Sequence, residues 1–315
     1  MKTPGFVMNR PNVDPLSDLI ALLRPQAAFS KAITGRGSWG VEYAPYRLPG
    51  FAIVLKGRCW FVAENAPFTL LERGDFLLLP ATPAFKLVSH PDVQCIHGEP
   101  SASAVRHGDA EGEPDFQMLG GSFQIDPVNS AALIQLLPER IHIRSDEGDT
   151  GRLARVISLI TEECADDKPG GEMIIERLLE VMLVESLRWR SLNRGALSAG
   201  LLAGLRDPAI ASALRAMHSN VRHGWTVAEL AKHAGMSRSA FAGRFAEMVG
   251  AAPKEYLSGW RMMLAQDALR HGAKSLDQLA DELGFKSTSA FSTAFRRRTG
   301  CAPGGFARSL RSVST

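Results

Sequence analysis

The chain has 315 residues, 36 Lys+Arg against 33 Asp+Glu, and a net charge of +3. That length accommodates two domains with ordinary cores. Four widely spaced cysteines without a CxxC pair argue against a zinc module or a disulfide-stapled secreted scaffold. The N-terminus MKTPGFVMNRPNVDPL lacks a signal-peptide core, and no apolar run approaches the roughly 20 residues that cross a bilayer, so a soluble, cytoplasmic protein is expected. The small net charge hides a division. Residues 208–315 carry 15 Lys+Arg against 7 Asp+Glu, a net of +8, whereas residues 1–207 carry 21 against 26, a net of −5. A basic C-terminal piece fits a polyanionic partner, and an acidic N-terminal piece fits a different task.

In chain order, Asp14–Leu23 places Leu16, Leu19, Ile20 and Leu23 at helical spacing. From about Ala28 to Gly120, short β-rich runs alternate with Gly, Pro and Asp: Trp39–Tyr43, Gly50–Leu55, Cys59–Ala63, Phe68–Leu71, Asp75–Leu79 and Phe85–Val88. Such spacing predicts a β-sandwich or small barrel. The polar segment RHGDAEGEP (Arg106–Pro114) is expected as an exposed loop, with one further strand at Leu119–Ile125.

From Ala131 the pattern turns helical. Gly151–Cys164 carries Leu153, Val156, Ile157 and Ile160, and Glu172–Leu192 carries Ile175, Leu178, Leu179, Met182, Leu183 and Leu187. These apolar helices need a partner surface, either within the subunit or in a second copy. The small-residue stretch NRGALSAGLLAG (Asn193–Gly204) predicts a linker, and Asp207-Pro208 predicts a helix start.

Two stretches near the C-terminus are imperfect copies: Thr226–Pro253 and Ser275–Pro303. Leu230, Ala231 and Gly235 recur as Leu279, Ala280 and Gly284. Phe241, Phe245, Gly250 and Pro253 recur as Phe291, Phe295, Gly300 and Pro303. Each copy predicts a helix, a turn opened by Gly, a Ser cap (Ser237, Ser287), and a second helix whose phenylalanines at i, i+4 face a small core. The opposite face would meet a DNA major groove. On it the expected base contacts are Arg238, Ser239, Ala242 and Gly243 in the first copy, and Thr288, Ser289, Ser292 and Thr293 in the second. Arg244, Lys286, Arg296, Arg297 and Arg298 are the expected phosphate contacts. Arg238 is the one exposed guanidinium near the start of either helix able to make a bidentate guanine contact. Between the copies, Lys254–His271 predicts one linking helix of about 27 Å.

With these motifs in place, residues 208–315 resemble the AraC/XylS-type DNA-binding domain, through the repeated units, ADELGF (Ala280–Phe285) and GCAP (Gly300–Pro303). The resemblance implies bacterial transcription regulation, with each monomer reading two adjacent major-groove segments of promoter DNA. Gly243 and Thr293 stand where members often carry Arg or a larger polar residue.

The N-terminal half resembles the cupin-like domain of a subgroup of these regulators, through LKGRCWF (Leu55–Phe61), RGDFLLLP (Arg73–Pro80) and LGGSFQID (Leu119–Asp126). Gly57 and Gly74 suit tight turns, and Asp75 suits a turn cap. Catalytic cupins hold a metal through inward His and Glu side chains. This sequence lacks an HxH near Gly57, Ala52 and Phe85 stand where the resemblance to the regulator subgroup implies His, and His90 and His97 form no ligand-like pair, so neither metal, cofactor nor catalytic residue is expected. Phe51, Trp60, Phe61 and Phe85 are candidates to line an apolar effector pocket, or they are simply core. Cys59 and Cys95 are the candidates for a redox switch.

The expected fold is therefore α+β multidomain. It comprises an N-terminal cupin-like sensing domain (14–125), a helical linker or dimerisation segment (126–206) and a C-terminal all-α double helix-turn-helix domain (208–315). Candidate partners are promoter DNA, RNA polymerase, a second copy of the chain and a small-molecule effector. The competing expectation is a metal-dependent cupin enzyme fused to a DNA-targeting module.

Overall fold

The structure is a computed structural model. It describes residues 14–46, 48–63, 67–99, 103–125, 137–146, 151–165, 169–192, 199–272 and 274–312. The helical start at Ala131 and the first part of the linker, 193–198, lie outside the described residues. The chain divides into two compact units: 24–125 with 138–194, and 1–23 with 126–137 and 195–315.

The first unit is built on strands β1 (Gln26–Arg36), β2 (Gly40–Tyr43), β3 (Gly50–Lys56), β4 (Arg58–Ala63), β5 (Thr69–Glu72), β6 (Phe76–Leu79), β7 (Phe85–Val88), β8 (Ile96–Gly98), β9 (Val105–Gly108), β10 (Phe116–Gln124) and β11 (Ile141–Ile143). They form a six-stranded sheet ordered β11-β6-β3-β10-β1-β9 and a five-stranded sheet ordered β5-β4-β7-β2-β8. Inward residues of both sheets share one core: Val54, Leu77 and Met118 from the first, Val41, Phe61 and Leu87 from the second. The result is a sandwich, and among the described strands no ladder joins the two sheets into a closed barrel.

Strands β3 and β6 are apolar on both faces, and both faces are buried. Ala52, Val54, Leu77 and Leu79 enter the shared core, while Phe51, Ile53, Phe76 and Leu78 are buried on the other side. A strand covered on both faces reads as a continuous apolar run, as GFAIVL and FLLL do. Helix α3 (Gly171–Leu192) packs on β1 and β11, burying Leu179, Met182, Leu183 and Leu187, and α2 (Gly151–Ala165) packs on α3. The apolar helices thus find their surface largely inside this unit.

Two tight turns fix the strand connections. Gly57 has φ 72°, and a Cβ there would sit 2.3 Å from the Asp115 carbonyl oxygen, so only glycine fits. Asp75 caps its turn by accepting from the Glu72 amide at 3.2 Å and also accepts from the Ser145 amide at 2.9 Å. Oδ2, which takes the Glu72 amide, also meets His142 Nε2 at 3.0 Å, which ties β11 to the sandwich. Burial opposes the Asp75 charge, but these hydrogen bonds outweigh it and hold the carboxyl below its ordinary range.

Four strands have no counterpart in the sequence expectation: β1, β8, β9 and β11. The segment expected as loop from Arg106 begins with strand residues, because β9 pairs in parallel with β1. Strand β1 is the most consequential of these. It lies between β10 and β9, yet its Ala- and Lys-containing sequence has little intrinsic strand preference.

The second unit is helical: α1 (Pro15–Leu23), α4 (Leu201–Arg206), α5 (Pro208–Ser219), α6 (Val227–His233), α7 (Arg238–Val249), α8 (Pro253–His271), α9 (Leu276–Glu282), α10 (Thr288–Thr299) and α11 (Pro303–Ser312). Helix α1, placed by the sequence reading at the start of the sensing domain, packs instead on α5. His218 of α5 is the hub of that contact. Its Nδ1 lies 3.0 Å from Asp18 Oδ2 of α1 and its Nε2 lies 2.8 Å from the Tyr256 hydroxyl, with the ring 4.3 Å from Trp260. Burial lowers the His218 pKa although Asp18 pulls the other way. A neutral ring donating from Nδ1 to Asp18 and accepting the Tyr256 hydroxyl proton at Nε2 satisfies every partner.

Candidate nucleic-acid interface

Both helix-turn-helix copies form as the repeat implies, and the same local chemistry builds each. Thr226 caps α6 and receives Glu229 in return; Ser275 and Gln278 do the same for α9. Gly235 (φ 65°) and Gly284 (φ 74°) turn the chain in the left-handed region. Ser237 and Ser287 then cap α7 and α10, accepting from Ala240 and Ala290. Gly250 (φ 80°) and Gly300 (φ 81°) end those helices.

The phenylalanines sit on the buried side. Phe241 and Phe245 meet in a tilted pair with ring centres 5.6 Å apart, and Phe291 and Phe295 do so at 5.7 Å, all fully buried. Phe245 continues to Tyr256 of α8, and Phe295 to Phe306 of α11. With one side of each helix fixed, the other side is presented. Arg238, Ser239 and Gly243 are exposed on α7, and Ala242 is half-buried. On α10, Ser289 and Thr293 are exposed, and Thr288 and Ser292 are half-buried. Lys286 and Arg296, Arg297 and Arg298 are exposed, the triplet lying in the last turn of α10, where the helix dipole favours cations.

Two of these residues are committed elsewhere. Arg244 was expected at phosphate, but its Nε donates to Asp207 Oδ2 at 2.5 Å. Asp207 is itself buried and caps α5 through the Ala209 and Ile210 amides. Burial opposes the Asp207 charge, yet the Ile210 amide, Arg244 and the Ala209 amide hold its carboxyl below the usual value. Arg244 therefore serves first as a structural tie between α5 and α7. Thr288 donates its hydroxyl to Asp277 of α9, so that hydroxyl braces the turn between the two helices of its unit.

Sequence reading also missed the parts that join the two copies. Arg261, on the linking helix α8, donates to the Val221 carbonyl at 2.9 and 2.7 Å and to the His223 carbonyl at 2.8 Å, just before the first copy. The same guanidinium lies 5.9 Å from the centre of the Phe285 ring in the second copy. Arg222 bonds Asp281 of α9 at 2.6 Å. A Cβ at Gly284 would lie 2.1 Å from the Arg222 carbonyl oxygen, so the second turn is pressed against the first copy's lead-in. The available signal was an arginine set among the apolar residues Trp260, Met262 and Met263.

In the β unit, Phe61 and Phe85 border an apolar cavity between the sheets; Phe51 reaches its edge although its ring packs against Phe123 at 5.0 Å on the other face of β3, and Trp60 does not border it. Strand β4 alternates, so Cys59 and Phe61 point inward and Trp60 points away, its ring 6.2 Å from Phe68. Burial pushes the Cys59 thiol up to about 12, which leaves almost no thiolate at neutral pH. That removes Cys59 as a redox switch; Cys95 is half-buried. Ala52 belongs to the shared core and Phe85 packs against it, and His90 and His97 are exposed. Among the described residues no helix is long and apolar enough to cross a membrane.

Comparison with known proteins agrees with this architecture. The cupin family matches residues 14–190, and the helix-turn-helix domain family matches residues 230–309. A Streptomyces lividans protein named an AraC-like transcription regulator is 33% identical over 93% of this chain and 98% of its own length. The transcriptional regulator AlkR of Acinetobacter baylyi is 28% identical over 78% of this chain and 83% of its own. Among solved structures, the DNA-binding domain of AdpA in complex with target DNA is 32% identical, covering 34% of this chain and 95% of that one, with a TM-score of 0.32.

Proposed function

The chain belongs to the AraC-like transcription regulators, and from that premise we propose that α7 and α10 enter successive major-groove segments of one promoter site. The observation that carries this reading is the duplicated presentation: two capped helices, each held from behind by a phenylalanine pair and each turning small polar or basic residues outward. Helix α8 is 19 residues long, about 28 Å at 1.5 Å per residue. That length suits helices standing near the ~34 Å repeat of one groove face.

Within this reading Arg238 makes the selective contact, and the small residues Ser239, Ala242, Gly243, Ser289, Ser292 and Thr293 let the helices approach base edges closely. Arg296, Arg297 and Arg298, with Lys286, hold the phosphates and set the salt dependence. The β unit senses a small molecule and alters DNA binding. A second copy of the chain docks through the α2–α3 hairpin, which exposes Leu159, Met173, Ile174 and Val181. A dimer on a promoter would stand where RNA polymerase engages.

The test is capture of sheared host DNA on the full chain at about 150 mM salt, near physiological ionic strength, followed by sequencing. Sharp peaks beside promoters with a shared bipartite motif are the expected result. A flat profile that tracks only fragment length would overturn specific readout.

A further inference from the structure

The cavity between the two sheets has a volume of about 70 Å³, and with its mouth the empty space is about 610 Å³. Tyr43, Phe61, Leu77, Phe85 and Met118 form much of its wall. Small residues keep it open: a Cβ at Gly120 would lie 2.9 Å from Ile33 Cδ1.

Into this apolar space β1 sends one charge. Lys31 shares the inward side of β1 with Ile33 and is only 7% exposed, and its Nζ has no hydrogen-bond partner. The Tyr43 ring lies 5.9 Å from that nitrogen. No Asp or Glu is among the described residues that line the cavity. Two further groups of the six-stranded sheet are buried without a partner: Nε2 of His107 on β9 and Oγ of Ser122 on β10. The His107 ring stacks on the core residue Trp39 at 5.5 Å. Burial, and then the nearby Lys31 charge, disfavour protonation of His107. The Tyr46 hydroxyl and Thr82 stand at the Gly50 end of the same space.

An ammonium buried without a counter-charge is strongly unfavourable. Everything else about the cavity is that of a ligand site: apolar walls and a few polar groups at fixed places. A single cation and neutral hydroxyls match a monoanion, whereas a phosphate carries nearly two charges and calls for more donors. Resting on the reading that the β unit senses a small molecule, we propose that this cavity binds a small monocarboxylate with an apolar body. Its carboxylate pairs with Lys31 Nζ, and its body lies against Phe61, Phe85 and Met118.

The test is calorimetric binding of benzoate and octanoate to the full chain, each beside its uncharged amide, with Lys31→Met and Gly120→Leu as variants. The expected result is that at least one carboxylate binds about tenfold or more tightly than its amide. Lys31→Met removes that preference while melting at or above the wild-type temperature, since an apolar side chain replaces an unpaired charge. Gly120→Leu fills the cavity and removes binding of acid and amide alike. Failure of both carboxylates to bind, equal binding of the amides, or unchanged carboxylate binding by Lys31→Met would overturn the proposal. So would an octanal adduct on Lys31, formed as an imine with loss of water and trapped by borohydride as the secondary amine, without carboxylate binding; that would make the amine a nucleophile instead. DNA affinity is measured separately. Lys31-dependent binding with unaltered DNA affinity leaves this site standing and removes the β unit's regulatory role. Intact DNA binding without any carboxylate binding removes this site alone.

Discussion

The two helix-turn-helix units share a scaffold and differ in what they present. The first offers one guanidinium, Arg238, in the opening turn of its second helix, and its other arginine, Arg244, is held by Asp207. The second ties Thr288 back to Asp277 and gathers Arg296, Arg297 and Arg298 in the last turn. Duplication therefore preserved the parts that make the fold — caps, left-handed glycines and phenylalanine pairs — while the outward faces diverged. In the proposed reading the first copy selects a base pair and the second grips the backbone.

The largest expected effect separates the two turns. Gly235 and Gly284 both have positive φ, but a Cβ at Gly235 meets nothing within 4 Å, whereas one at Gly284 meets the Arg222 backbone. Gly235→Ala should destabilise by about 1–2 kcal/mol through backbone strain alone. Gly284→Ala adds a collision and should lose about 3 kcal/mol or more. Urea unfolding of the two variants checks the difference, and equal losses would show that the copies are mechanically equivalent.

Replacing Arg296, Arg297 and Arg298 together by Ala should weaken binding to every DNA sequence and reduce the slope of log K against log salt by about 2–3, at about 0.9 per phosphate contact. Arg238→Ala should act differently, losing about 1–3 kcal/mol at one base pair and leaving the salt slope nearly unchanged. Binding titrations at several salt concentrations on cognate and singly mismatched duplexes distinguish the two. Arg244→Ala should lower thermal stability by about 1 kcal/mol, with a smaller change in DNA affinity. The reverse ranking would restore it to the phosphate contacts.

The smallest effect lies in the capping boxes. Glu229 closes the first, and its pKa is lowered chiefly by the Thr226 amide, then by the Thr226 hydroxyl and His223. A carboxyl depressed in the folded state lends stability above its unfolded pKa, about 4.5, and that stability is lost as pH falls through the folded value. Gln278 closes the second box and does not titrate. Amide protection factors in α6, corrected for the intrinsic exchange rate at each pH, should therefore fall on acidification below about pH 4.5, while α9 should lose nothing through its own cap.

Much of the second unit was legible in the sequence because its signals are local. Capping residues, glycines and i, i+4 phenylalanines act within one or two turns, and a repeat displays them twice. The β unit was legible where strands alternate or run apolar, as in β3, β4 and β6. It was not legible at β1, whose place in the sheet is set by partners about 70 and 90 residues away, Val105 and Phe123 among them. Missing β1 also hid Lys31. The inward alternation of Lys31 and Ile33 becomes visible only once the strand is known. Arg244 and Arg261 were hidden for a related reason: an arginine looks the same in sequence whether it meets phosphate, a buried carboxylate or a backbone carbonyl.

Hydroxyl-radical footprinting of the full chain on a captured promoter fragment tests the central claim most directly. Two protected patches on one face of the duplex, about one helical turn apart, are predicted. The patch assigned to the second copy should fade first when Arg296, Arg297 and Arg298 are replaced. A single patch, or two patches that weaken together, would contradict a division of labour between the copies.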